Sequence, residues 1–414
     1  MASKAGTAGA PPRVGVTVAL LGLLIFINYV DRGNLATAGP LIKTETGMSN
    51  TDFGLLVSAF FWTYTPFQLV SGWLAQRFNT HVVLTVGLVI WALATIATGL
   101  TTAFGVLLGL RLILGIGESA AFPCASKLIA EQVPAEKLGS ANAFLGMGLS
   151  LGPAFGIFAG GLLMAVSGWR LTFILFGVLS LLWLVPWLAT QRGEVSAAAT
   201  ARDRSPPWAA ILSRRAAWGC GLGHFSVNYA LYFLLAWLPL YLVKSRGFTL
   251  TEMAQIGGFV YLLQAVSTVV SGRVADRWIA GGMTPNRARK TMMVAGLLST
   301  AACMLGIALG DARFTIALLL FSGITIGMTA TNVYAIGQSC AGPTAAGKWI
   351  GFQNCIANVA GITAPALTGW LVDRAGGDFR VAFAVAAGVS VFGAICWGLI
   401  IKRIECQDWA IAAS

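Results

Sequence analysis

Apolar runs long enough to cross about 30 Å of hydrocarbon, roughly twenty residues each, recur along the whole chain. They fall at 14–38, 52–77, 80–101, 104–130, 138–165 and 169–191, then at 218–243, 251–278, 290–310, 313–340, 348–373 and 380–402. Short polar or glycine-rich stretches separate them. The longest interruption, 192–217, holds Gly193, Ser205, Pro206, Pro207 and five arginines, and reads as a soluble connector. The pattern predicts an all-α membrane protein with twelve transmembrane helices in two pseudo-symmetric six-helix bundles. Their expected extents are 1–191 and 218–414, joined by a cytoplasmic linker at 192–217.

Composition agrees with that pattern. Of 414 residues, 57% are hydrophobic and only 10% charged, and the mean hydropathy is +0.78, which excludes an ordinary soluble domain. The net charge of +12 follows from topology without a nucleic-acid partner, because Lys and Arg accumulate on cytoplasmic loops. An inside amino terminus and an even number of crossings leave both termini cytoplasmic, in a multi-pass protein of the inner (plasma) membrane. The first residues are small and polar and run into a span too long for a signal-peptide core, so no cleaved leader is expected. The seven cysteines show neither CxxC pairing nor metal-ligand spacing. No metal and no cofactor are expected. HExxH is absent and neither histidine has a catalytic neighbour, so the chain does not read as an enzyme.

Of the fifteen acidic residues, only Asp31 and Glu118 fall deep inside spans, with Arg32 and Arg111 close by in sequence. A charge at the bilayer centre costs roughly 2.5–3.5 kcal/mol on insertion scales, so such groups face a cavity or a partner and usually mark a pathway. Arg111 and Glu118 share one helix face, about 10.5 Å apart, and do not meet without bending. Asp31 and Arg32 point roughly 100° apart. The expected role is proton coupling and substrate capture, and a static charge staple between helices remains the alternative.

The residues Asn28-Tyr-Val-Asp-Arg-Gly-Asn-Leu35 with Pro40, and Arg111-Leu-Ile-Leu-Gly-Ile-Gly-Glu118 leading to Phe122-Pro123, resemble signatures of the anion:cation symporter family of the major facilitator superfamily. Gly272-Arg-Val-Ala-Asp-Arg277 with Arg287-Ala-Arg-Lys290, and Gly351-Phe-Gln-Asn-Cys-Ile-Ala-Asn358 with Gly361, Pro365 and Gly369, extend the likeness over residues 18 to 402. The resemblance implies proton-coupled uptake of a small organic anion such as a hexuronate, aldonate or aldarate, by alternating access in a monomer within the lipid bilayer. Sodium stays open as the coupling ion. It implies further that Asp31 and Glu118 carry protons, that Arg111 is coupled to the span-four acid, and that Arg32 meets the substrate carboxylate. Tyr29 and Tyr64 then line the pocket.

In span seven, His224, Asn228 and Tyr232 recur every four residues and form one polar stripe. Span eleven adds Asn354 and Asn358, which are assigned to substrate recognition. Hydrogen bonding between helices is the alternative for the span-seven stripe, and capping of a kink made by Gly361 and Pro365 is the alternative for Asn358. The loop residues Arg77, Asp276 and Arg277 read as gating latches, although Gln76 stands where the resemblance expects an aspartate. Span five, with Gly148, Gly152-Pro153, Gly156 and Gly160-Gly161, favours close helix packing, while its glycine-proline pattern also resembles exporters. An exporter of amphipathic compounds, or a carrier of a non-sugar carboxylate such as an aromatic acid, is therefore the competing expectation.

Overall fold

The computed structural model describes residues 12–133, 138–190, 206–310 and 312–409. Among these there are helices and connecting turns and no strand. The helices are α1 (Pro12–Thr46), α2 (Asn50–Arg77), α3 (Thr80–Thr98), α4 (Phe104–Glu118), α5 (Ala121–Gln132), α6 (Leu138–Leu182) and α7 (Leu184–Thr190). After the connector come α8 (Trp208–Leu212), α9 (Arg215–Leu240), α10 (Leu250–Ala280), α11 (Pro285–Leu309), α12 (Ala312–Arg374) and α13 (Arg380–Ile395).

Eleven helical stretches are long and apolar enough to cross a membrane. One of them, Phe144–Thr190, is 47 residues long and turns at Gly168 (φ 78°, ψ 166°), a conformation that only glycine adopts without strain. Its arms 144–167 and 169–190 are each long enough to cross at 1.5 Å per residue, which gives the twelve predicted crossings. Gly342 (φ 67°, ψ 174°) makes the equivalent break inside α12. Large apolar side chains such as Leu69, Leu309 and Leu399 stand 70%, 82% and 70% exposed, an outer surface that suits hydrocarbon rather than water.

Some predicted boundaries shift. Span one, expected to end at 38, continues to Thr46 because its polar end turns back on the helix: Thr44 and Thr46 hydroxyls donate to the Pro40 and Ile42 carbonyls at 2.7 and 2.8 Å. Span four, expected unbroken over 104–130, is interrupted at Ser119–Ala120, immediately after Glu118. The first part of the expected linker, 192–205, lies outside the described residues; from 206 the chain forms α8 and enters α9 at Arg215.

The two halves start their second helices alike. Gly47 (φ 69°) is followed by a Ser49–Asp52 capping box on α2, and Gly247 (φ 73°) by a Thr249–Glu252 capping box on α10. Each box satisfies orphan N–H groups at a helix start.

Within the first half, α1 lies against the first arm of α6 along a glycine ladder. A Cβ at Gly148, Gly152 or Gly156 would come within 2.7 Å of the Gly22 carbonyl, 2.5 Å of the Tyr29 Cβ and 2.7 Å of the Val30 carbonyl respectively. Span five is thus a packing surface for α1. On α4, a Cβ at Gly117 would lie 2.7 Å from the Gly87 carbonyl oxygen and 2.8 Å from the Trp91 amide nitrogen, both backbone atoms. Gly117→Ala is expected to push α4 off α3 and cost about 1–3 kcal/mol, read as a lower unfolding temperature of the purified protein. An unchanged unfolding temperature would contradict that close approach.

The end of the bundle opposite the chain termini is sealed across the two halves. The Asp373 carboxylate at the end of α12 accepts from Asn50 N (3.1 Å) and Nδ2 (2.8 Å), and from Thr51 N (2.6 Å) and Oγ1 (2.5 Å), at the start of α2. Lys244 Nζ donates to Thr44 Oγ1 at 2.8 Å nearby. Deeper down, Phe53 meets Trp237 and Phe61 meets Tyr232, with ring centroids 5.6 and 4.7 Å apart. At the other end, Lys290 Nζ donates to the Gly398, Ile401 and Lys402 carbonyls, and Arg214 Nη2 to the Asp408 carbonyl at 2.6 Å. These contacts strap the C-terminal segment onto the second half.

Candidate functional site

The buried charges gather where α1, α2 and α4 cross. Arg32 Nε donates to Glu118 Oε2 at 3.1 Å, with both side chains almost wholly withdrawn from solvent. The guanidinium lies over three rings, 4.5 Å from the centroid of Tyr29, 5.1 Å from Phe60 and 4.3 Å from Tyr64. Arg111 also lies over Phe60, 5.5 Å from its centroid. Each contact of this kind is worth roughly 0.5–2 kcal/mol, more when desolvated. Asp31 accepts from Asn34 Nδ2 at 3.2 Å and lies within electrostatic reach of both Glu118 and Arg111.

The cluster has unspent capacity. Arg32 Nη2, Arg111 Nε, Asp31 Oδ2 and Glu118 Oε1 are buried and make no hydrogen bond among the described residues. Unmade hydrogen bonds at buried charges are costly, so the site is poised for a ligand, water or proton. A pocket opens beside it, lined by Arg32, Ala36, Val57, Phe60, Phe61, Arg111, Tyr232, Leu235, Ala236 and Pro365. Its free space admits little more than a water molecule.

The resemblance coupled Arg111 to Glu118, although their spacing alone kept them from meeting; in the structure the direct ion pair of Glu118 is with Arg32. The reason is geometric. Two helical turns separate Arg111 from Glu118, whereas α1 brings Arg32 alongside the last residue of α4, where the helix breaks. Tyr29, Asp31, Arg32, Tyr64, Arg111 and Glu118 do come together, and Tyr232 joins them from the second half. The remaining polar stripes largely bond to each other. Tyr232 donates to Asn358 Oδ1 at 3.0 Å, and Tyr334 donates to Asn354 Oδ1 at 3.4 Å. His224 Nδ1 lies 3.4 Å from Gln353 Nε2, with Tyr334 edge-on to its ring. Asn228 is half-buried between His224 and Tyr232. The expected latch residues lie far from the pocket: Arg77 and Arg277 are exposed, and Asp276 pairs with Arg289 of its own half at 3.7 Å.

Sequence reasoning did not single out Phe60, Phe61, Asn28, Asn34 or Tyr334. Two signals were available. Phe60 precedes Tyr64 by one turn on the same face, and Asn28 and Asn34 flank Asp31 at three residues on either side.

The profile described as Major Facilitator Superfamily matches residues 21–347 and 279–413. A protein of Escherichia coli (strain K12) named "Probable L-galactonate transporter" is 29% identical over 413 residues, covering 94% of this chain and 89% of that protein. One of Cupriavidus necator named as a probable sulfoacetate transporter is 28% identical over 399 residues, covering 90% of each. Among solved structures, a bacterial homologue of the human lysosomal transporter Spinster, described as inward-facing and occupied, superposes with a TM-score of 0.82. It is 18% identical over 95% of this chain and 98% of that one, a likeness of fold.

Proposed function

The chain belongs to the Major Facilitator Superfamily, and from that premise we propose that it is a secondary carrier coupling proton influx to the uptake of a small organic anion. The observation that carries the reading is the buried Arg32–Glu118 pair, laid among three aromatic rings at the edge of the pocket. The names of two relatives, one for galactonate and one for sulfoacetate, have the anion in common. The first brings sugar acids into any substrate panel.

In this reading Asp31 and Glu118 take up protons from the outer side, and protonation of Glu118 releases Arg32. The freed guanidinium receives the carboxylate of the cargo, because a fork of N–H donors matches a carboxylate geometrically. The halves 1–191 and 218–414 then rock about the midplane pocket, with 192–217 as their cytoplasmic connector. Proton loss on the inner side restores the pair and expels the anion. The carrier works as a monomer in the inner membrane with both termini cytoplasmic, so the Asp373 seal lies on the outer face. Arg77, Asp276 and Arg277 act at the inner face. The glycine run of span five, spent on packing against α1, gives no argument for export.

The test is transport by proteoliposomes under an imposed pH gradient. Asp31→Asn with Glu118→Gln is expected to abolish uphill accumulation while leaving exchange of anion for anion measurable. A double variant that still concentrates its cargo would end the proton-coupling reading. Accumulation of amphipathic cations, without counterflow of organic anions, would favour an exporter instead.

A further inference from the structure

Resting on the reading of Arg32 as the group that receives the anion, we infer that the favoured cargo is a small carboxylate with an apolar or aromatic body, ahead of a polyhydroxylated one. The pocket has one charged end and an otherwise apolar wall. Of its ten lining residues, only Arg32, Arg111 and Tyr232 carry a side-chain hydrogen-bonding group. The Tyr232 hydroxyl is already committed to Asn358.

Some of the polar groups that could greet hydroxyls are engaged with one another, while Gln353 Oε1 and the Asn28 amide are buried without a partner among the described residues and lie outside the pocket lining. Tyr334 is bonded to Asn354, and Gln353 stands against His224. On the side of α1, the face of α6 at this depth consists of Gly152 packed on Tyr29 and Gly156 packed on Val30. By contrast, Arg32 Nη2 and Arg111 Nε are buried and unpartnered, two cationic N–H groups that seek an anionic acceptor. The charged end of a ligand is therefore well provided for, while its body meets carbon.

The wall is shaped for a ring. Phe60 and Phe61 meet edge-on with centroids 4.9 Å apart, and Phe61 continues to Tyr232 at 4.7 Å with a 56° tilt. An aromatic body extends that edge-to-face arrangement. Because the Phe61–Tyr232 contact joins the two halves, a body lodged there touches both of them. A hydroxyl pressed against the same wall gives up its bonds to water without replacement, a loss of about tenfold in affinity for each one.

The experiment uses the purified full-length chain and pairs of acids matched in ring or chain size: cyclohexanecarboxylate against glucuronate, whose pyranose ring also has six members, and hexanoate against gluconate, with benzoate added. Binding is read by calorimetry, with the Arg32→Ala protein as background. The less hydroxylated member of each pair is expected to bind at least about tenfold more tightly, and benzoate to compete with its uptake into proteoliposomes. Phe61→Ser is expected to shrink that margin severalfold. Equal or tighter binding of glucuronate and gluconate, lost on Arg32→Ala, overturns this inference and leaves the anion-carrier reading standing. Failure of every acid to bind the parent protein overturns both.

Discussion

Arg32→Ala is expected to abolish anion uptake, lowering it at least about a hundredfold. One guanidinium serves Glu118 at 3.1 Å and three ring faces at once, so its removal strands a buried carboxylate as well as the cargo. Breaking one side of a buried pair costs about 3–5 kcal/mol, which corresponds to a factor of roughly a hundred to several thousand. Arg32→Lys keeps the charge but loses the planar fork and the stacking, so residual transport with a KM raised about tenfold is expected. Stability separates the roles further. The single variants Arg32→Ala and Glu118→Gln are each expected to lower the unfolding temperature, and the double variant to recover part of the loss, because two partners removed together leave no orphan charge. Uptake by Arg32→Ala at the parent rate would remove Arg32 from the transport path.

The second large effect is conformational. Asp373→Ala deletes four hydrogen bonds from one carboxylate to the N-terminal turn of α2, where a negative charge also complements the helix dipole. These bonds are partly exposed to solvent. A total of about 1–3 kcal/mol shifts the balance between sealed and open by about ten- to a hundredfold. A cysteine placed at the pocket residue Ala36, after removal of the exposed Cys355 and Cys406, reports the change. Its labelling by a membrane-impermeant maleimide from the outer side is expected to accelerate about tenfold or more in the Asp373→Ala background. Asp373→Asn, which keeps one acceptor oxygen, is expected to fall between. Labelling at the parent rate would mean that the seal is held by other contacts, such as Phe53 against Trp237.

The crossings were legible in the sequence because each has to be apolar over its whole length, a property that neighbouring helices cannot supply. Their internal breaks were less so. Span four stops at Glu118 and restarts at Ala121, although its apolar run is continuous. The isolation of Asp31 and Glu118 marked the region where the structure gathers its buried charges, since a buried acid is conspicuous against hydrocarbon. The partner of Glu118 was not legible, because helix crossing decides it: spacing along α4 kept Arg111 out of direct reach without naming another residue. Asp373 counted among the ordinary acids at helix ends. Only the approach of α2 gives it four donors. The span-seven stripe was readable as periodicity, yet Tyr232 reaching Asn358 and His224 reaching Gln353 depend on α12 lying alongside α9.

Asp31, Glu118, Arg32 and Arg111 together sum to zero when both acids are ionised. If the chain couples protons as proposed, its unloaded form in that state crosses the electric field without moving net charge, whatever the voltage. On that proposal, one proton on each acid and a monoanion aboard would make the loaded form move one positive charge, for which 100 mV supplies about 2.3 kcal/mol. Membrane potential then acts on the inward, occupied journey alone and does not oppose the empty return.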